Sequence, residues 1–280
     1  MATKTWFITG ASRGFGRAWA TAALRRGDRV AATARDPAAL RELVDEFGEA
    51  VLAAPLDVTD RDAVFATLAR AHEHFGVLDV VVNNAGYGHF GMLEEVSEQE
   101  ARDQIETNVF GALWVTQAAL PFLRAQGAGH ILQVSSVGGV AAFPCLGIYH
   151  ASKWAVEGFS QALASEVGGF GIRVTLIEPG PFATDWGASS ARHSAPLEAY
   201  VPAHEAMDAF RASMRHTLGD PEATAAAVLQ IVDADQPPLR AFLGSVALGI
   251  VEQDYEGRLT TWREWQPVAE LAQGPARSPA

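Results

Sequence analysis

Short, continuously apolar runs alternate along the chain with longer stretches in which apolar residues recur every three or four positions. The runs Trp6-Phe7-Ile8, Val30-Ala31-Ala32, Val51-Leu52-Ala53, Val80-Val81-Val82, Ile131-Leu132-Gln133-Val134 and Val174-Thr175-Leu176-Ile177 are strand candidates. Most are apolar throughout, the pattern of strands covered on both faces of a parallel sheet. Between them, Asp60 to Phe75 sets Val64, Leu68, Ala71 and Phe75 on one helical stripe behind an Asp60 N-cap. Asp36-Pro37 and Asp220-Pro221 each read as an N-cap and first helical residue, the second before Ala223 to Val232. This βαβα order predicts an α/β fold, a doubly wound parallel sheet with helices on both faces. A barrel of eight βα units is weakened by too few strand candidates and by a glycine-rich turn it does not need. The polar segment Ser189 to Leu218, with Pro196 and Pro202, breaks the alternation. Residues 185–218 are expected to be an inserted substrate lid with one or two short helices. The tail, 244–280, mixes Leu248, Ile250, Val251, Trp262 and Trp265 with charges and is expected to pack as helices, with Pro275 to Ala280 frayed. The whole, 1–280, reads as one dinucleotide-binding and catalytic domain.

Composition narrows the partners. Of 280 residues, 49% are hydrophobic and 19% charged, which excludes a disordered chain or a coiled coil. The net charge of -12 repels phosphate backbones, so no nucleic-acid partner is expected. One cysteine, Cys145, excludes an intrachain disulfide and a cysteine zinc cluster. The eight histidines form no ligand spacing, and no metal is expected. With no apolar run of the roughly 18–20 residues that span a bilayer, and no secretory pattern after Met1, a soluble cytoplasmic protein away from membranes is the expectation.

The first strand runs into Thr9-Gly10-Ala11-Ser12-Arg13-Gly14-Phe15-Gly16 and then a helix pattern. Glycines there allow a tight turn and close approach of a ligand, and the helix offers unpaired N–H groups to a pyrophosphate. The spacing Thr-Gly-x-x-x-Gly-x-Gly resembles the short-chain dehydrogenase/reductase family. The resemblance continues in order through Asn83-Asn84-Ala85-Gly86, Asn108, Ser136, Tyr149-His150-Ala151-Ser152-Lys153 and Pro179-Gly180. It is strong from residue 3 to about 184. It implies a Rossmann fold and a nicotinamide dinucleotide held by Gly10, Ser12, Arg13, Gly14, Phe15 and Gly16. Asp57 and Val58 would meet the adenine, and Asn84, Ala85 and Gly86 the adenosine ribose. Pro179, Gly180, Phe182 and Thr184 would hold the nicotinamide.

Tyr149 and Lys153, four apart, share one helical face. A nearby ammonium favours phenolate, so the pair predicts a tyrosine tuned below its usual value of about 10. Such a phenol can give a proton to a carbonyl oxygen or take one from an alcohol. The resemblance assigns Tyr149 that role and gives Lys153 the nicotinamide ribose. It places Ser136 on the substrate oxygen, and makes Asn108 the anchor of a helix distortion and of a water relay. Ser135, next door on a strand end, should face the other way. His150 is read as structural.

The second strand ends Thr33-Ala34-Arg35-Asp36. The family's acidic discriminator falls near Ala34, which is uncharged, and Arg35 follows at the phosphate-binding position. Guanidinium suits a 2′-phosphate, with Arg13 as a second cation. Asp36 could serve an NAD ribose, but Pro37 marks it as a helix cap. NADP(H) is therefore expected over NAD(H). Phe143, Cys145 and Leu146 are expected to wall an apolar pocket, with Trp186 in the lid, for a hydrophobic ketone, aldehyde or alcohol. A homodimer or homotetramer through Leu113, Val115, Ala118, Ala119, Leu120 and Phe122 is compatible with the pattern, as is a buried helix in a monomer. Two functional classes follow: an NADP(H)-dependent oxidoreductase, and a non-catalytic NADP(H)-sensing protein. The second usually lacks the tyrosine or the lysine, and this chain keeps both.

Overall fold

The computed structural model describes residues 3–184, 186 and 190–274, with the backbone alone for Arg215. In chain order the strands are β1 (Thr5–Ile8), β2 (Arg29–Ala34), β3 (Val51–Pro55), β4 (Val80–Asn83), β5 (His89–Phe90), β6 (Gly129–Val134), β7 (Ile172–Pro179), β8 (Arg192–His193) and β9 (Arg240–Leu243). The helices are α1 (Gly14–Arg25), α2 (Arg41–Phe47), α3 (Arg61–Phe75), α4 (Glu98–Ile105), α5 (Gly111–Gln126), α6 (Gly147–Val167), α7 (Val201–Ser213), α8 (Thr224–Asp233), α9 (Ala247–Glu264) and α10 (Gln266–Gln273). Seven strands form one sheet in the order β3-β2-β1-β4-β6-β7-β9, every pair parallel. β5 and β8 make a separate two-stranded ribbon. The order turns back between β1 and β4, which opens a crevice beyond their carboxyl ends.

The side-chain alternation of the strands builds two cores. Trp6 and Ile8 of β1, Val80 and Val82 of β4 and Leu132 of β6 face one layer with Trp19, Leu24 and Val228. Phe7, Val81 and Ile131 face the other, with Leu68, Leu123 and Leu163. Burying each such side chain is worth about 1.5–3 kcal/mol, so both faces must be covered. The Trp19 indole also donates to Thr224 Oγ1 at 2.8 Å, tying α1 to α8.

The doubly wound sheet predicted from the pattern is present, with four differences. β9 was not among the strand candidates: it is short, led by an arginine and at the sheet edge. Asp220 accepts from the Glu222 N–H at 2.9 Å, but this closes a turn, and α8 starts only at Thr224. The tail is helical but does not pack as expected: Leu248, Trp262, Trp265 and Leu271 are exposed along α9 and α10. Within 185–218, α7 supplies a longer helix than expected. Residues 185, 187–189 and 275–280 lie outside the described residues, as does the fraying expected for Pro275 to Ala280. Among the described residues no helix is long and apolar enough to cross a membrane.

Candidate active site

The turn after β1 is shaped for close approach. Gly10 and Gly14 adopt φ of 65° and 55°, which side chains disfavour. A Cβ on Gly16 would lie 2.5 Å from Asn84 Nδ2 and from the Gly10 carbonyl oxygen. The N-terminus of α1 has no side-chain cap and no acidic residue in its first turn, among the described residues. Its leading N–H groups are thus left for an anion. Asn84 seals the turn from β4, donating from Nδ2 to the Thr9 and Gly10 carbonyls at 2.9 and 3.0 Å. Thr9 Oγ1 returns the contact, accepting from the Asn84 and Ala85 N–H groups at 3.0 Å each. Phe15 stacks on Trp19 and meets the Phe182 ring edge-on at 5.2 Å, joining the turn to the segment after β7. Gly180 N–H donates to Leu243 O at 2.9 Å, while Thr184 Oγ1 accepts from the Trp186 N–H at 3.3 Å.

Around this rim, Ser12 is half-buried and Arg13 and Arg35 are exposed. Asp36 accepts from the Ala38 N–H at 2.9 Å, so its carboxylate is occupied as the cap of a short helical turn. Asp57 is held by the Thr59 N–H and hydroxyl at 3.0 and 2.8 Å. Val58 is buried against Gly111.

The polar centre comes from four elements. Between α4 and α5, residues Glu106–Phe110 widen into a π-type turn. It turns buried Asn108 toward Tyr87, accepting from its N–H at 3.1 Å and donating to its carbonyl at 3.0 Å. Asn108 Nδ2 also donates to Ser152 Oγ at 3.0 Å. A Cβ on Gly86 would lie 3.0 Å from Asn108 Oδ1 and 3.8 Å from Lys153 Nζ, which brings these three together. Ser136, past the end of β6, stands beside the Tyr149 phenol, while its Oγ accepts from the Gly138 N–H at 3.0 Å. Lys153 donates to Val134 O at 2.7 Å, and its Nζ lies 5.9 Å from the Tyr149 ring centre.

Burial dominates the electrostatics. It pushes Tyr149 up to about 12 against the opposing hydrogen bond from Ser136, and Lys153 down to about 8 against the pull of Glu157. The sequence pattern predicted a phenol lowered by the ammonium. The site instead has one raised by desolvation, because both groups lie out of solvent and the Lys153 Nζ is spent on a backbone carbonyl.

Other residues were undervalued or missed by sequence reasoning. His150 braces the loop after Ser136, with Nδ1 2.8 Å from Gly138 O and Nε2 accepting from the Phe143 N–H at 3.0 Å. The acceptor role at Nε2 fixes a neutral ring protonated on Nδ1, in keeping with burial lowering its pKa. Trp186 lies over the phenol, ring centres 4.9 Å apart. Cys145, buried with φ of 64°, sits against Met92 and His204. Sequence reasoning passed over Glu157, Glu178 and Arg240, which meet at the Arg240 guanidinium. A carboxylate one turn after the lysine, and another inside an apolar strand, were the available signals.

A reversing parallel sheet and a glycine turn under an uncapped helix define the Rossmann class of dinucleotide-binding folds, here with half-buried Ser136 beside buried Tyr149 and Lys153. The comparisons specify it further. The family described as short chain dehydrogenase matches residues 4–195. The Botryotinia fuckeliana (strain B05.10) protein named Oxidoreductase BOA17 is 42% identical, over 95% of this chain and 98% of its own. The crystal structure of a short-chain dehydrogenase from Streptomyces avermitilis superposes with a TM-score of 0.90 at 38% identity, covering 97% of this chain and 98% of that one. An alcohol dehydrogenase from Thermococcus sibiricus, complexed with 5-hydroxy-NADP, superposes with a TM-score of 0.74 at 30% identity, covering 88% and 98%. The chain belongs to the short-chain dehydrogenase/reductase family and is an oxidoreductase of that family.

Proposed function

We propose that the chain is an NADP(H)-dependent carbonyl reductase or alcohol dehydrogenase, acting in the cytoplasm as one catalytic domain with 185–218 as lid and 244–280 as an extension. The observation that carries this is the buried Tyr149 phenol, beside Ser136 and one helical turn from Lys153. The nicotinamide, when bound, supplies or accepts the hydride. Tyr149 gives a proton to the substrate oxygen during reduction or takes it back during oxidation. A phenol raised to about 12 is protonated at neutral pH, which suits the donor role first. Ser136 holds the substrate oxygen beside the phenol. Lys153 and Asn108, sharing the space around Gly86, position the ribose and a proton path.

The cofactor residues fit a dinucleotide. Gly10, Ser12, Arg13, Gly14, Phe15 and Gly16 would surround the pyrophosphate at the free N–H groups of α1. Asp57, Val58, Asn84, Ala85 and Gly86 would line the adenosine, and Pro179, Gly180, Phe182 and Thr184 the nicotinamide. Exposed Arg35, beside an Asp36 already employed as a cap, supports NADP(H) over NAD(H). Trp186 over the phenol, with Phe143, Cys145 and Leu146, supports a hydrophobic carbonyl or alcohol substrate.

The test mixes protein and NADPH with a panel of ketones and aldehydes and follows the nicotinamide absorbance. Turnover is expected, and Tyr149→Phe should lower it by about 10²–10⁴-fold while NADPH still binds. Confirmed NADPH binding with no oxidation across the panel, or full activity in Tyr149→Phe, would sink the reading.

A further inference from the structure

α6 carries one more buried charge in line with the site. Glu157 lies one turn beyond Lys153, as Lys153 lies one turn beyond Tyr149. It meets Glu178, the β7 residue before Pro179, at a shared Arg240 Nε. As bare carboxylates they leave Glu157 Oε1 and both Glu178 oxygens buried without a donor. One proton between them supplies the donor, since two carboxylates offer only acceptors. Arg240 of β9 closes the cluster, with Nε 2.9 Å from Glu157 Oε2 and 3.4 Å from Glu178 Oε1. The hydroxyl of Ser135 is also buried without a partner among the described residues. A Cβ on Gly139 would lie 2.5 Å from Ser135 Oγ and 3.3 Å from Glu157 Oε1, so the cluster reaches the residue next to Ser136.

With one shared proton the acid pair carries a single negative charge, balanced by Arg240. Burial first, then the charge of Glu157 and their hydrogen bond, push Glu178 up to about 8, with Arg240 pulling the other way. Other titratable side chains stand on elements packed against α6: His89 on β5, Glu100 and Asp103 on α4, and Glu106 in the π-type turn. His150 lies on α6 itself, and Arg258 of α9 is engaged by Asp254. Glu157, one turn from Lys153 on α6, favours the ammonium against burial.

We propose that Glu157 is a positioning residue for Lys153: with Glu178 it forms a proton-sharing acid pair, clamped by Arg240, whose negative charge holds the buried ammonium in its charged, donating form. As pH rises, the shared proton passes to water and the pair gains a second negative charge. The alkaline loss thereby falls on the pair, and the ammonium beside it is held more strongly. Only the consequence for turnover rests on the reading of Lys153 in the proposed function.

The sequence provides a direct test, because the chain has just two lysines, Lys4 and Lys153. Lysine labelled at Cε and Nζ gives two NMR signals, and Lys4, paired with Asp233 at 2.8 Å, is the internal reference for a folded chain. In Glu157→Gln the titration midpoint of Lys153 should drop by about one pH unit or more, with Lys4 unmoved. Glu178→Gln should leave it nearly in place, since the single negative charge stays on Glu157 against Arg240. Either folded variant decides the matter: a Lys153 midpoint that stays put or rises in Glu157→Gln, or that drops by about one pH unit or more in Glu178→Gln, overturns the proposal. A lowered midpoint with an unchanged alkaline limb of kcat/KM upholds the acid pair and counts against Lys153 in turnover.

Discussion

His150→Leu removes a ring whose centre lies 5.7 Å from that of Tyr149, and its effect should reach Ser136 as well. The ring is 4% exposed and bridges Gly138 O, 2.8 Å away, to the Phe143 N–H, 3.0 Å away. Leucine fills much of the space and satisfies neither. A buried polar group left unpaired costs about 1–3 kcal/mol, so two with partial relaxation cost about 3 kcal/mol. At about 2.1 cal/mol/K of unfolding entropy per residue, each kcal/mol moves Tm of a chain this long by roughly 2 °C, giving a drop of about 5–6 °C. The chemistry should suffer separately. Gly138 N–H holds Ser136 Oγ at 3.0 Å, so a shifted Gly138 carries the serine with it. A displacement of about 1 Å at reacting atoms costs on the order of 10²-fold in rate. Thermal unfolding and kcat/KM on the best ketone of the panel measure the two effects. Should Tm stay within about 2 °C and kcat/KM within twofold of the parent, the bracing role of His150 is wrong.

Three further perturbations have defined outcomes. Gly16→Ala puts a methyl 2.5 Å from Asn84 Nδ2 and the Gly10 carbonyl; it should weaken NADPH binding by at least about tenfold, about 1.4 kcal/mol, and unchanged affinity in a fluorescence titration would contradict the packing argument. Arg35→Ala should raise the KM for NADPH by about 10–100-fold, the worth of about 1.5–3 kcal/mol for a charged hydrogen bond, and leave NADH nearly unaffected; equal losses with both cofactors would remove the phosphate role. Buried His130 is lowered from 6.5 to about 4, so the unfolded chain binds its proton first. Its contribution is intact above pH 6.5 and fades as pH falls toward 4, by up to about 3 kcal/mol. Urea unfolding at pH 7 and pH 4.5 should show a smaller acid loss in His130→Gln, and an equal loss would mean other groups set the acid limit.

The sheet was legible because its strands are buried on both faces and therefore write themselves as unbroken apolar runs. β9 escaped since Arg240-Ala241-Phe242-Leu243 is short, at the edge and half covered. Asn108, Ser136, Tyr149 and Lys153 stood out because each is a polar residue at a family-spaced position, and the structure brings them together. Electrostatics was not legible in the same way. Four-residue spacing places Lys153 near Tyr149, but the sign of the phenol's shift depends on how much water the finished site excludes. Glu157 carries a similar lesson. A glutamate on a helix usually reads as a solvated face, and only β7 and β9 folding over it make a buried pair. Leu248, Trp262 and Trp265, expected to pack within a helical tail, lie exposed in the structure. Amphipathicity tells that a face seeks cover without telling what supplies it.

A single uninterrupted helix, α6, bears Tyr149, His150, Ser152, Lys153 and Glu157 on consecutive turns. Their mutual offsets are therefore set by helical pitch, a quantity no loop can alter. Selection or engineering can rebuild the proposed wall at Phe143 to Leu146, or the proposed lid, without retuning that row. Fold families diversify in what they accept when the invariant part of the machine and the adjustable part sit on separate pieces of backbone, and here they do.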